Sequence, residues 1–157
     1  MAVGQDEFRT ALGHFASGVT VVTTAGDDGH FRGITVSAFS SLSLDPPLIL
    51  ICVEKRASIY DHLKEGGFFA VNILAEDQEL ISRRFATKDT DRFDGIGYIS
   101  GATGCPILTG TLAFVECRIV NLYPGGDHTI FVGEVEAMGA TEGKPLAYFR
   151  GGYSKLV

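Results

Sequence analysis

The sequence predicts a mainly β protein with flanking helices, built around an antiparallel barrel. Short segments rich in β-branched residues recur along the chain, and two long segments near its end alternate apolar and polar residues. Glycine is abundant, at 20 of the 157 residues, which is typical of tight turns rather than of a helical bundle. Because the long strands come late and adjoin one another, this order favours a closed antiparallel barrel over a sheet of βαβ units.

The first half of the chain predicts one helix followed by strands. Residues 5–16 carry apolar side chains at helical spacing and predict a helix. Residues 19–24 predict a strand, and the Gly-Asp-Asp-Gly turn at 26–29 joins it to the next strand in a hairpin. The continuous apolar run 48–53 fits a strand buried on both faces, and residues 58–63 resemble a short helix that begins with a capping box.

The second half predicts one more helix between strands. Residues 68–74 predict a strand, and residues 76–85 predict a helix with Leu80, Ile81 and Phe85 on its inward face. The polar, glycine-rich stretch 87–105 is interpreted as an excursion loop. Two long strands follow at 112–123 and 129–137, each with charged residues, Glu116 among them, on the face opposite its apolar one.

Length, charge and cysteine content limit the class of protein. A chain of 157 residues suits one domain, spanning residues 1–157. The net charge of −6 argues against a partner that is a nucleic acid, and no apolar run is long enough to cross a membrane. We find no cationic segment followed by an apolar core at the N-terminus, and therefore expect a cytoplasmic protein. Cys52, Cys105 and Cys117 are then expected to be reduced, buried and structural.

The most informative stretch is a strand of small hydroxyl residues that begins at Gly33. Since side chains alternate along a strand, Thr35, Ser37, Ser41 and Ser43 are expected to point the same way. A face made of small hydroxyls is a poor core face. It is a good wall for a flat ligand with a polar edge.

A candidate anion site follows at the end of the next strand. Lys55 and Arg56 precede the predicted helix at Ser58, and a helix N-terminus favours a phosphate. The alternative is a solvated basic turn in which Ser58 merely caps the helix. A phosphate site next to a wall for a flat ring indicates a nucleotide-like cofactor.

Three further features have both a structural and a functional interpretation. His128 follows Gly-Gly-Asp at a turn, where it either supports the turn or hydrogen-bonds a ligand carboxamide. Asn72 lies in an apolar strand, where it bridges backbone groups or touches a ligand. The tail places Arg150, two glycines and Tyr153 close together, as an ordinary turn or as a ligand contact. The four histidines lack metal-ligand spacing, so no metal site is predicted.

Several ordered blocks of the sequence together resemble one family. The chain is similar to the short-chain flavin reductases with the FMN-binding split β-barrel fold, which are reductase components of two-component flavin-dependent monooxygenases. The resemblance is carried by residues 15–24, 33–48, 69–74, 85–86, 126–135 and 148–153.

The resemblance implies roles for particular residues. It implies a flavin site formed by Gly33, Ile34, Thr35, Val36, Ser37, Ser40 and Ser41 at the isoalloxazine edge, by Cys52, Val53, Lys55, Arg56 and Ser58 at the phosphate, and by Phe85 against the flavin. It implies a nicotinamide site formed by His128, which takes the catalytic role, and by Arg150, Gly151, Gly152 and Tyr153, with His14 near the same pocket.

The function that the resemblance implies is NAD(P)H-dependent reduction of a flavin. Hydride passes from NADH or NADPH to FMN or FAD, and the reduced flavin diffuses to a partner monooxygenase. The family implies a homodimer. The alternative is a flavoredoxin-like electron-transfer protein that keeps FMN bound and receives electrons from a protein partner. The sequence leaves open which flavin and which nicotinamide nucleotide are used.

Overall fold

The computed structural model describes residues 2–88 and 91–157, and its secondary structure is mainly β. The helices in this part of the chain are α1 (Gln5–Leu12), α2 (Glu79–Phe85) and a 3₁₀ helix (Tyr60–His62). The strands are β1 (Ser17–Gly18), β2 (Thr20–Thr24), β3 (Arg32–Val36), β4 (Phe39–Leu44), β5 (Pro47–Glu54), β6 (Phe68–Ile73), β7 (Tyr98–Ser100), β8 (Pro106–Leu108), β9 (Ala113–Gly125), β10 (His128–Ala140), β11 (Leu146–Phe149) and β12 (Gly152–Lys155). None of these helices has the length and apolar character needed to span a bilayer.

One antiparallel sheet of seven strands forms the barrel. Its strand order is β3-β2-β6-β9-β10-β5-β4, so the two strands at its edges are neighbours in the sequence. The sheet curls until these edges meet at Ser37–Ala38, but β3 and β4 form no ladder with each other. We call this unpaired junction the seam. The prediction of an antiparallel split β-barrel is confirmed, and the small sheets β1-β11-β12 and β7-β8 lie beside the barrel.

Apolar side chains pack in two main clusters. The first contains buried residues from six barrel strands, including Ile51, Phe69 and Phe131. The second includes Phe85 of α2 and Leu146 of β11. Truncating a buried Phe to Ala typically costs about 3–5 kcal/mol, so these clusters hold the barrel and α2 in place.

Two of the three predicted helices, those at 5–16 and 76–85, are shorter than expected. The first ends at Leu12 rather than at residue 16, because the next N–H groups, of His14 and Phe15, donate to carbonyls three residues back instead of four. None of its residues is buried, although the spacing of its apolar residues is helical. The second begins at Glu79 rather than at residue 76, because Gln78 accepts a hydrogen bond from the Ala75 N–H in a turn.

The inward face of α2 also differs from the prediction. Phe85 is fully buried and Ile81 packs on the second cluster, as predicted. Leu80, in contrast, is 80% exposed. Ser82 takes the buried position instead, and its hydroxyl hydrogen-bonds the Tyr153 hydroxyl at 2.7 Å.

The predicted short helix at 58–63 is only a 3₁₀ turn. It covers Tyr60–His62, and no side chain caps it. The capping-box prediction at Ser58 was therefore wrong. The chain turns instead through backbone hydrogen bonds, with the Tyr60 N–H donating to the Ala57 carbonyl.

Two expectations about strands also need correction. The run 48–53 is not buried on both faces, because in β5 the residues Ile49, Ile51 and Val53 are buried while their neighbours are exposed or half-buried. The stretch 87–105 is not only a loop, because β7 lies within it and pairs with β8.

The long hairpin of β9 and β10 is confirmed, with bulges that change its alternation. Glu116 was predicted on the strand face opposite the apolar one, and it is only 2% exposed. Its carboxylate accepts hydrogen bonds from the backbone N–H groups of Ala102 and Thr103 and from the Thr103 hydroxyl. The loop containing these residues covers the carboxylate and supplies the donors that a buried carboxylate needs.

Candidate functional site

A cavity of about 740 Å³ lies at the seam. This volume is within the range of roughly 300–1,000 Å³ that is usual for small-molecule sites. We call it the seam cavity. It is lined by Ile34, Thr35, Val36, Ser37, Ala38, Cys52, Val53, Glu54, Arg56, Ala57, Ser58, Phe85, Ala86, Thr87, Lys88, Arg92 and His128.

The course of the chain through the seam creates this cavity. Strand β4 pairs with β5 only as far as Phe39 opposite Ile51, and one further bond joins the Cys52 N–H to the Ala38 carbonyl. The last residues of β5, Val53 and Glu54, therefore extend beyond β4. Both residues line the seam cavity, which β3 lines from the other side of the seam.

The hydroxyl row predicted for one continuous strand is interrupted at the seam. Strand β3 ends at Val36 and β4 begins at Phe39, so alternation does not continue from one to the other. The Thr35 hydroxyl donates to the Ser82 carbonyl at 2.6 Å. Ser40 and Ser41 lie on β4, outside the lining, and the Ser40 hydroxyl donates to the Ser41 carbonyl. Of the two junction residues, Ser37 and Ala38, both line the cavity and only Ser37 carries a hydroxyl.

Gly33 occupies a different place from the one predicted. It is buried and lines a second, smaller cavity rather than the seam cavity. A Cβ at this position would lie 2.8 Å from Cε1 of Phe85 and 3.3 Å from Cζ of Phe93. The missing side chain therefore makes room for two aromatic rings.

The lining of the seam cavity includes several cations. Arg56, Ser58 and Lys88 line it, and their side chains form no hydrogen bond or salt bridge with any residue that the structure describes. Lys55 lies outside the lining, and its backbone N–H donates to the Asp127 carbonyl. A 3₁₀ turn of three residues provides little dipole, so the attraction for an anion comes from the two cations instead.

One face of the seam cavity is formed by the segment at and after α2. The Phe85 ring is fully buried and lies at the cavity wall. Arg92 donates to the Gly33 carbonyl at 2.7 Å and to the Thr87 carbonyl, and so ties this segment to β3. Sequence reasoning missed Lys88 and Arg92. The only signal for them was their positive charge within a stretch interpreted as a loop.

His128 lies at the rim of the cavity, opposite Glu54 in the register of β10 and β5. Its ring nitrogen Nδ1 is 2.7 Å from a carboxylate oxygen of Asp127. The hydrogen bond from His128 lowers the pKa of the Asp127 carboxyl. This bond fixes the ring orientation and leaves Nε2 as the nitrogen that can bind a ligand.

The predicted nicotinamide residues of the tail form a separate group. His14, Arg150, Gly151, Gly152 and Tyr153 all lie outside the lining of the seam cavity. The first two belong together, because the Arg150 N–H donates to the Gly13 carbonyl and the His14 ring contacts Phe149.

Tyr153 has structural contacts of its own. The Arg83 guanidinium lies 4.8 Å from the centre of its ring, and its hydroxyl bonds Ser82. The tail therefore packs on α2 rather than on the cavity. The role of these residues in binding stays a prediction.

The cysteines and the possible metal ligands can be placed relative to the site. All three cysteines are free thiols, with Cys105 and Cys117 buried and Cys52 half-buried at the cavity wall. Burial raises the pKa of the Cys117 thiol to about 12. Among residues 2–88 and 91–157, no three His, Cys, Asp or Glu side chains are grouped closely enough to hold a metal ion.

The fold is that of the antiparallel split-barrel class, and comparisons with known proteins identify the family within it. The model of the flavin reductase like domain matches residues 12–156. The chain is 40% identical over 156 residues to the flavin-dependent monooxygenase reductase subunit HsaB of Rhodococcus jostii (strain RHA1), covering 99% of this chain and 80% of that protein. It is 41% identical over 152 residues to the NADH-dependent flavin reductase of a Rhodococcus species, covering 94% and 84%.

A solved structure agrees with these sequence relatives. The NADH:FAD oxidoreductase SgcE6 of Streptomyces globisporus C-1027, in complex with NAD and FAD fragments, has a TM-score of 0.93 and 38% identity to this chain. The match covers 100% of this chain and 97% of that one. The chain belongs to the flavin reductase like domain family. The prediction of an NAD(P)H:flavin oxidoreductase is thereby confirmed.

Proposed function

We propose that this chain binds its flavin in the seam cavity, reduces it with NADH and releases it to a separate monooxygenase. The observation that carries the proposal is the pairing of a wall of small side chains around Ser37 with the cations Arg56 and Lys88 in one cavity. A flavin nucleotide has a flat ring with a polar edge at one end and a phosphate at the other. The two sets of lining residues match these two chemistries.

The residues of the cavity bind and orient rather than react. Ile34 and Phe85 pack against the ring and exclude water, and Ser37 offers a hydroxyl to its polar edge. Arg56 and Ser58 hold the phosphate through charge-assisted and neutral hydrogen bonds. The bound flavin supplies the redox chemistry, since it accepts the hydride that NADH gives up.

His128 positions the nicotinamide in this proposal. Because Asp127 occupies Nδ1, the other ring nitrogen is available to hydrogen-bond the carboxamide. Hydride transfer needs no acid–base side chain, so the contribution of His128 is orientation of the donor over the flavin.

The names of the relatives support a partner. HsaB is named as a reductase subunit of a flavin-dependent monooxygenase. We therefore place this chain as the reductase of such a pair, acting in the cytoplasm through diffusible reduced flavin. Phe8, Leu12 and Phe15 are exposed, and they support a homodimer in which a second copy covers them. Sedimentation at micromolar concentration distinguishes this dimer from a monomer.

The first test is turnover with free flavin. Purified protein is mixed with NADH and with increasing FMN, FAD or riboflavin, while nicotinamide absorbance is followed. We expect NADH oxidation to rise and saturate with free flavin, which then behaves as a substrate. A yellow protein that barely oxidises NADH whatever flavin is added would identify an electron carrier of the flavoredoxin kind.

The second test separates the two ligands. We expect His128→Ala to raise the KM for NADH by roughly three- to tenfold, the value of one lost hydrogen bond, and to leave the Kd for FMN within twofold. The matched control is His62→Ala, because His62 lies outside the cavity lining. An equal loss of both affinities in His128→Ala would contradict the assignment.

A further inference from the structure

Glu54, the last residue of β5, is the one acidic side chain among the described residues that line the seam cavity. The lining also contains the cations Arg56, Lys88 and Arg92. No hydrogen bond or ion pair joins the Glu54 carboxylate to any residue in the ranges 2–88 and 91–157. Because a carboxylate repels a phosphate, the proposed phosphate site does not explain why Glu54 lies there.

The register of β5 and β10 places Glu54 beside His128. The two residues are directly opposite each other in this antiparallel pair, so their side chains leave the sheet on the same face. The next pair along, Val53 and Thr129, faces the opposite way, and both of these residues are buried. Glu54 and His128 are therefore neighbours on the face that borders the cavity, and the Cβ atoms of such a pair are typically about 4.5–5.5 Å apart.

Backbone hydrogen bonds hold these two residues in place. The Lys55 N–H donates to the Asp127 carbonyl at 2.9 Å, which ties the end of β5 to the turn before His128. The Glu54 carbonyl accepts the Ala57 N–H at 3.0 Å in the turn that follows the strand. The Asp127 carboxylate bonds the imidazole and lies outside the cavity lining. Of these two carboxylates, therefore, only that of Glu54 borders the space for a ligand.

Positive charge develops on a nicotinamide ring when it gives up hydride. The C–H bond at ring carbon C4 breaks, and its electron pair leaves with the hydrogen to form an N–H bond at N5 of the flavin. The neutral dihydronicotinamide becomes a cation, and the flavin gains a negative charge, which a proton taken up from water neutralises. A fixed carboxylate beside the ring therefore stabilises the transition state and NAD⁺ more than it stabilises NADH.

We propose that the Glu54 carboxylate faces the nicotinamide ring and stabilises the positive charge that the ring acquires during hydride transfer. The placement of the nicotinamide at His128 comes from the proposed function, on which this role of Glu54 therefore rests. The carboxylate speeds the transfer, and it makes the protein prefer the cationic ring of NAD⁺ to a neutral ring of the same shape.

Two unreactive nucleotides measure the effect of ring charge without turnover. NAD⁺ has a cationic ring, whereas the tetrahydro analogue of NADH has a neutral ring that cannot give up hydride. Each is titrated into protein with saturating oxidised FMN, and the change in flavin absorbance gives its Kd. We expect Glu54→Gln to raise the Kd for NAD⁺ by about three- to tenfold, the lower range for a pair of unit charges, and to leave the Kd for the analogue within twofold.

Flavin reduction in a single anaerobic turnover measures the effect on the transition state. At saturating NADH, we expect Glu54→Gln to slow the reduction by a similar factor of about three to ten, because the same charge is developing on the ring. Stopped-flow absorbance of the flavin gives this rate.

Two variants serve as controls for charge and for position. Glu54→Asp keeps the carboxylate and is expected to retain most of the preference for NAD⁺. Glu65→Gln removes a carboxylate outside the cavity lining and is expected to change neither the two Kd values nor the rate.

If Glu54→Gln fails to fold, salt tests the same charge in the unaltered protein. The Kd of the analogue divided by that of NAD⁺ is expected to fall between about 0.01 M and 1 M salt, because salt screens exposed charges. Screening of the pyrophosphate cancels in this ratio, since both nucleotides carry the same one.

The outcomes separate this role of Glu54 from the proposed function. A Kd ratio and a reduction rate that are unchanged in Glu54→Gln, or a ratio that does not depend on salt, overturn the role and leave NADH-dependent flavin reduction intact. An equal change in the Kd of both nucleotides assigns Glu54 to the part that they share, and also overturns the role. Protein that oxidises no NADH with any flavin contradicts the proposed function itself.

Discussion

We call the part of the barrel wall in which neighbouring strands are hydrogen-bonded the closed side. Polar side chains on the closed side and at the unpaired seam differ in whether the protein supplies their hydrogen-bond partners. On the closed side, Asn72 is fully buried, donates to the Val21 carbonyl and accepts from the Leu108 N–H. At the seam, the side chains of Ser37 and Arg56 have no hydrogen-bond partner in the part of the chain that the structure describes. The difference teaches that a buried polar group on the closed side is satisfied by the protein, whereas the exposed polar side chains at the seam are available to a ligand.

The largest expected effect is a loss of stability from a substitution on the closed side. Asn72→Ala leaves the Val21 carbonyl and the Leu108 N–H without their partner, and we expect it to lower the free energy of unfolding by about 2–3 kcal/mol. Urea denaturation measures this loss. The Kd for FMN, corrected for folded protein, is expected to stay within twofold. A large change in affinity would mean that Asn72 also serves the site.

The second effect concerns the seam alone. Arg56→Ala removes a charge-assisted partner of the phosphate, and we expect the Kd for FMN to rise roughly ten- to thirtyfold. Stability should change by less than about 0.5 kcal/mol, because the side chain is exposed. Fluorescence titration with riboflavin, which has no phosphate, is the control and should be unaffected. A similar loss for riboflavin would contradict a phosphate role.

The third substitution lies between the closed side and the seam. It is expected to change both the stability of the protein and its affinity for FMN. Gly33→Ala places a methyl group 2.8 Å from the Phe85 ring, and we expect it to cost about 1 kcal/mol of stability through overpacking. Since Phe85 also lines the seam cavity, FMN affinity should fall by a few-fold in the same variant. Thermal unfolding and flavin titration measure the two effects. A change in only one of them would show that the regions are independent at this point.

The smallest effect is a difference in thiol reactivity. Cys52 lies at the cavity wall, whereas burial raises the pKa of the Cys105 and Cys117 thiols and keeps them protonated at pH 8. Because the thiolate is the reactive form, iodoacetamide should alkylate one thiol in the native protein. Saturating FMN should slow this alkylation severalfold. Mass spectrometry counts the alkylated thiols over time with and without FMN. Reaction of all three thiols at similar rates would argue against the buried positions.

The Cys117 thiol also predicts how the stability of the protein changes at high pH. The folded state holds the Cys117 proton up to a pKa of about 12, while an unfolded thiol loses its proton at roughly 8.5. The folded protein binds more protons between these values, so the free energy of unfolding should fall as pH rises through this window. Urea titrations at pH 8 and pH 10 compare the two conditions.

Much of the fold could be predicted from the sequence because alternation and turn composition act locally. The strands of the first hairpin, the long hairpin of β9 and β10 and the barrel class follow from these patterns. Glu116 could not be predicted as buried, since the loop that covers it comes from residues 101–104. The alternation of side chains along a strand does not indicate which loops cover that strand. The first helix was too long by four residues because nothing buries its apolar face.

The site was predictable where its residues stand out by local composition or by the resemblance. Residues 34–37, Arg56, Ser58 and His128 do meet in one cavity. Lys88 and Arg92 were missed because a tertiary bond to the Gly33 carbonyl, and no local pattern, brings their segment to the wall. The resemblance assigns the tail to the nicotinamide nucleotide, and in the structure the Tyr153 hydroxyl bonds Ser82 of α2. The binding roles of all these residues remain predictions.

The unpaired seam also bears on how a molecule leaves this barrel. In a fully closed barrel, widening the wall would break a row of backbone hydrogen bonds between neighbouring strands. Here β3 and β4 share no such row, so a bound molecule can leave by separating side chains while the seven-stranded sheet stays whole. For a reductase of the proposed kind, whose product travels to another protein, this discontinuity would offer a way out that breaks no backbone ladder.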